Sequence, residues 1–107
     1  MTTYGMFFTM NRRSYKTCLR INNRQISVVI VDPHYEAKHG SSIDDQIILE
    51  LVKMLDGGTF PAADVVDDFE YYVTDSMSLH GKLYKLVWLL EKNQLYVGIV
   101  NVYRRKK

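Results

Sequence analysis

A stripe of apolar residues at helical spacing constrains this chain more than any other feature. Ile43, Ile47, Ile48, Leu51, Val52, Met54 and Leu55 recur with the helical period, so Ile43 to Asp56 is expected to form a helix with one broad apolar face. Such a face needs a second apolar layer to cover it. Ser42 followed by Asp45 makes a capping box at the helix start, and Gly57-Gly58 stops it. Just upstream, Asp32 can cap a short helical turn that begins at Pro33, where the missing N–H loses no hydrogen bond. His34 and Lys38 lie four apart on that turn and share a face, and His39-Gly40 ends it.

The covering layer reads as strands. Residues 14–31 form an expected hairpin: Tyr15, Thr17, Leu19 and Ile21 alternate, Asn22-Asn23-Arg24 turns the chain, and Gln25 to Val31 returns as a β-branched run buried on at least one face. Asp32-Pro33 ends that strand, because proline cannot donate to a ladder. Residues 59–68, with Pro61 and three acids, read as a loop. Phe69 to Thr74 is an expected strand, Asp75 to Lys82 a connection, and Leu83 to Leu90 the most apolar and most central strand. Lys92-Asn93 then turns into Leu95 to Tyr103, with Gly98 as an expected bulge. Residues 1–13 show no period and are expected to be loosely ordered, with Tyr4, Met6, Phe7, Phe8 and Met10 covering a core edge or a partner surface. The expected fold is one α+β domain over residues 1–107: an N-terminal hairpin, one or two helices and an antiparallel sheet of three to five strands.

Composition narrows the setting. A chain of 107 residues with 47% apolar content fits a single folded domain with its own core. No apolar run approaches the roughly 20 residues of a membrane span, and Met1 to Met10 lacks the basic start and long apolar middle of a secretory signal. Cys18 is the single cysteine, which excludes an internal disulfide and fits a reducing compartment. A cytoplasmic protein without a membrane partner is the expectation. Charge is unevenly spread: residues 1–31 hold five bases and no acid, residues 32–77 eleven acids against Lys38 and Lys53, and residues 78–107 seven bases against Glu91. If the two basic ends pack side by side, they can form a patch for a polyanion.

Two segments carry a family resemblance. Asp32-Pro33 followed by Lys38-His39-Gly40-x-Ser42-Ile43-Asp44-Asp45 resembles the Asp-Pro … Lys-His-Gly-x-Ser-Phe-Glu-Glu segment that opens the main helix of BrnT-type toxins. Gly81-Lys82-Leu83-Tyr84-Lys85-Leu86-Val87-Trp88, a turn, then Tyr96 to Asn101 and Tyr103-Arg104-Arg105 is similar to the closing strands of that group, and the similarity spans about residues 26–105. The resemblance implies a RelE-like fold and a small endoribonuclease of a toxin-antitoxin system, with RNA and a cognate antitoxin protein as partners and no cofactor.

Cleaving RNA without a metal takes a base for the 2′-hydroxyl, a cation for the developing phosphorane charge and an acid for the leaving oxygen. His34 and His39 titrate near neutrality and can serve as base or acid, although a histidine at a helix end also serves as a cap or favours the helix dipole. Lys38 and Arg104 can hold the phosphate, Arg104 through two parallel hydrogen bonds. Tyr103 can donate a proton or stack on a base, and the competing role is shielding of the sheet edge. The catalytic candidates are therefore His34, His39, Tyr103 and Arg104, with Lys38, Lys85 and Arg105 as nucleic-acid contacts. His80 reads as a loop residue, and Tyr71, Tyr72, Tyr84 and Tyr96 as sheet packing. His34, His39, His80 and Cys18 lack any recognised zinc spacing, so no metal is expected. A non-catalytic interaction protein, such as a phage or mobile-element inhibitor binding a host complex through the acidic central segment, is the alternative function.

Overall fold

Among the described residues, alternation along six segments produces a sheet, and the apolar stripe produces a helix on it. The structure, a computed structural model, describes residues 12–32 and 43–105. In chain order the elements are β1 (Arg13–Ile21), β2 (Arg24–Val31), α1 (Asp45–Lys53), β3 (Asp64–Val66), β4 (Phe69–Leu79), β5 (Lys82–Glu91) and β6 (Tyr96–Arg105). The strand order across the sheet is β1-β2-β6-β5-β4-β3. All neighbours are antiparallel except β2 and β6, which run parallel with Val28 beside Tyr96 and Val31 beside Ile99.

The expected antiparallel, RelE-like sheet of three to five strands is thus corrected: the described residues form a six-stranded mixed sheet carrying one nine-residue helix. The reason lies in β2. Ile26, Val29 and Val31 face the core under α1, while Val28 and Ile30 pack on the opposite face. A strand apolar on both faces favours the sheet interior, so β2 takes β6 as a second partner and joins the hairpin to the meander. The expected loop over residues 59–68 contains β3, because Val65-Val66 folds back on β4 across Asp67-Asp68, with Asp67 at φ 55°. The expected connection after Thr74 is instead a continuation of β4 to Leu79. Asp75 and Ser76 form a bulge there, with Ser76 at φ 57°. The bulge between β5 and β6 falls at Val100, between the Val87–Asn101 and Trp88–Ile99 pairs, rather than at Gly98. The first helical turn expected after Asp32 lies outside the described residues.

α1 begins at Asp44, whose carboxylate accepts from the Ile47 N–H at 2.9 Å. Ile48, Leu51, Val52 and Leu55 are buried against the sheet, whereas Met54, counted in the stripe, is 47% exposed just past the last turn. Fully burying each such aliphatic side chain is worth about 1.5–3 kcal/mol, which is what holds so short a helix in place. Trp88 is the centre of this layer. It stacks on Tyr72 at 4.1 Å, meets Phe60 edge-on at 5.4 Å, and donates its indole N–H to Thr74 Oγ1 at 3.0 Å. The other face holds a smaller cluster of Phe69, Leu89 and Tyr96.

Candidate nucleic-acid interface

The pairing of β5 with β6 sets the candidate site. Lys85 lies opposite Tyr103, and Leu83 opposite Arg105. Side chains alternate along a strand, so Lys85, Asn101, Tyr103 and Arg105 share the face away from α1. Tyr84 is part of the core under α1, and Arg104 lies opposite it, so Arg104 points to the helix side.

On the shared face the Lys85 ammonium sits 5.2 Å from the centroid of the Tyr103 ring. A cation held over an aromatic face gains about 0.5–1 kcal/mol at an exposed site and is fixed in direction. Asn101 Nδ2 donates to the Tyr103 hydroxyl at 3.0 Å, and its Oδ1 accepts from the Val102 N–H at 2.9 Å, so both ends of a nearly buried amide are satisfied. Arg105 Nη1 donates to Asp75 Oδ2 at 2.8 Å. Asp75 reaches this row because it sits in the β4 bulge facing Lys85, and bulges commonly re-aim a side chain in this way. The arrangement puts an ammonium, a guanidinium, a phenol, an amide and one carboxylate within one corner of the sheet. Lysine and arginine there suit a phosphate, and the ring suits a base or a proton transfer.

The other sequence candidates fall as follows. Tyr103, Lys85 and Arg105 are brought together, and Arg104 is on the opposite side of the same strand. His34, Lys38 and His39 lie outside the described residues. His80 is a turn residue as expected, at φ 53°, and its Nε2 lies 3.1 Å from Glu50 Oε1 of α1. Tyr72, Tyr84 and Tyr96 are buried, in line with a packing role. Asn101 was missed, and Asp75 reads in the sequence only as one acid of the central segment. The Asp75-Ser76 pair interrupting an alternating run was the available signal for the bulge.

The basic ends do not form one bare patch, because acids of the central segment meet several of their charges. Arg13 holds Asp45 through two hydrogen bonds, Nε at 2.5 Å and Nη2 at 2.9 Å, and the Tyr15 hydroxyl donates to the same carboxylate. That hydrogen bond to Asp45, then burial, pushes the Tyr15 phenol above its ordinary value. Arg24 Nη2 lies 2.7 Å from Glu70 Oε1, which also accepts from Tyr72. Burial alone raises the Glu70 carboxyl, yet the bonds from Tyr72 and Arg24 outweigh it and hold Glu70 below its ordinary range. Tyr72 is raised in turn, by burial first and by Glu70 second. Among the described residues no group of three or more His, Cys, Asp and Glu side chains is placed to hold a metal ion, and no helix is long and apolar enough to cross a membrane. No family model, curated protein or solved structure matches the chain.

Proposed function

We propose that the protein is a toxin-like endoribonuclease acting in the cytoplasm on single-stranded RNA, held in check by an antitoxin protein. The observation that carries this reading is the Lys85, Tyr103 and Arg105 cluster on one sheet face, with the Lys85 ammonium 5.2 Å from the Tyr103 ring. The BrnT-type resemblance of residues 26–105 supports it from the sequence side. In this reading Lys85 and Arg105 hold the scissile phosphate and neutralise charge as the phosphorane forms. Asp75 accepts the 2′-hydroxyl proton while the 2′-oxygen bonds to phosphorus. The bond to the 5′-oxygen breaks, and that oxygen takes a proton from the Tyr103 phenol. The products are a 2′,3′-cyclic phosphate and a 5′-hydroxyl. His34 and His39 stand as further acid or base candidates.

The test is incubation of the purified chain with a labelled oligoribonucleotide in the presence of a chelator, alongside growth of cells expressing it. Cleavage with cyclic phosphate ends is expected. Tyr103→Phe should slow it by roughly 100-fold or more, the scale of one positioned proton donor, and Lys85→Ala and Arg105→Ala should do so as well. An intact RNA together with undisturbed growth would remove the proposal.

A further inference from the structure

Of the two edge strands, β3 carries a feature that RNA chemistry does not use. β3 pairs with β4 on its inner side, Asp64 with Tyr71, Val65 with Glu70 and Val66 with Phe69, and among the described residues nothing pairs with its outer side. Every residue from 61 to 68 is exposed, including Val65 at 61% and Val66 at 40%. Two neighbouring β-branched residues on an open sheet edge form a template for strand addition. The Val65 N–H is held by the carboxylate beside it, Asp64 Oδ1 at 2.9 Å. That water-facing acceptor can be exchanged for an incoming carbonyl at little cost.

Charge selects the occupant. Asp64, Asp67 and Asp68 surround the two valines, and the chain has no lysine or arginine between Lys53 and Lys82. Lys92, whose N–H donates to the Asp68 carbonyl at 2.8 Å, sets one base beside three acids. A second copy presenting the same edge would bring those acids face to face, which opposes self-pairing. RNA is repelled for the same reason. We propose that β3 receives an extended, positively charged protein segment as an additional strand. The segment's lysines or arginines meet Asp64 on one face and Asp67 and Asp68 at the turn, and its alternate apolar side chains cover Val65 on the other face. This surface is independent of the RNA reading and fails or succeeds in its own assay.

The experiment titrates the isotope-labelled full chain with a short synthetic peptide alternating lysine and valine, and with the same peptide N-methylated throughout. Amide shifts centred on residues 61–71 are expected, with binding that weakens as salt rises. The methylated peptide should bind roughly tenfold or more weakly, since it cannot make the backbone ladder. The Asp67→Asn, Asp68→Asn double variant should weaken the unmethylated peptide about as much and leave RNA cleavage unchanged. Equal binding of the two peptides, shifts centred elsewhere, no binding, or concentration-dependent self-association through residues 61–68 would each overturn the proposal.

Discussion

Asp45 is the residue on which the start of the helix and the start of the sheet converge. Its carboxylate takes two bonds from Arg13 and one from the Tyr15 hydroxyl while sitting in the first turn of α1. Asp45→Asn keeps the shape but removes the charge that both donors address, so we expect a loss of about 1–3 kcal/mol of stability, read as a lower urea midpoint with an unchanged slope. Glu70 carries a pH dependence of definite sign. Its folded carboxyl is held below its ordinary value of 4.5, because Tyr72 and Arg24 favour the ionised form against burial. The folded state therefore gains from Glu70 at every pH above that value and loses the gain as pH falls through the lowered one. Glu70→Gln should flatten the decline of thermal stability below about pH 4.5, and an unchanged acid limb would contradict the assignment. Neither pair was legible in the sequence. Asp45 reads there as half of a capping box with Ser42. Counting charges by segment separates the five N-terminal bases from the acids that neutralise two of them, since Arg13 and Asp45 stand 32 positions apart and Arg24 and Glu70 stand 46 apart.

Among the elements, the Asn22-Asn23 and Lys92-Asn93 turns and the apolar stripes were readable, and the Asp67-Asp68 turn and the strand partnerships were not. Asn22-Asn23 was legible as a turn because asparagine tolerates the left-handed backbone that both residues adopt, at φ 53° and 62°. Its second task was hidden. Asn22 Oδ1 accepts from the Phe60 N–H at 2.6 Å, and Nδ2 donates to the Phe60 carbonyl at 3.1 Å and to the Tyr72 hydroxyl at 3.0 Å. This fastens the hairpin to the chain leaving the helix and sets the Phe60 ring against Trp88. Asn22→Gly keeps the backbone freedom and deletes all three bonds, so it should cost about 1–3 kcal/mol, whereas Asn23→Gly should be nearly neutral. Equal melting shifts for the two variants would show that the turn alone is at stake. The parallel β2–β6 pair has the same origin as these hidden bonds. Period-2 patterning tells which side chains of a strand are buried, but not which strand lies beside it. The uninterrupted run Val28 to Val31 was the one hint that β2 belonged inside the sheet.

Across the whole molecule, charge is separated along the strands as well as along the chain. Lys85, Tyr103 and Arg105 gather where β5 begins and β6 ends, while β3 borders the far end of β4, where Phe69 to Tyr71 begin that strand. RNA held at the first corner should show the salt dependence of counterion release, a slope of log affinity on log salt near −0.7 for each phosphate contact to a single strand. Lys85→Ala should reduce that slope by about one contact, measured by anisotropy of a labelled oligonucleotide whose 2′-hydroxyls are blocked against cleavage. Asp75 separates binding from chemistry. Its carboxylate holds Arg105 at 2.8 Å and so competes with a phosphate for the same guanidinium. Asp75→Asn removes that rival anion, and the blocked oligonucleotide should bind several-fold more tightly, with a steeper salt slope. The same variant lacks the group assigned to receive the 2′-hydroxyl proton, so cleavage of an unblocked oligonucleotide should fall by roughly 100-fold or more. Tighter binding with cleavage undiminished would move the base elsewhere, with His34 and His39 next to be replaced. Weaker binding would mean that Asp75 orients Arg105 toward the phosphate rather than away from it.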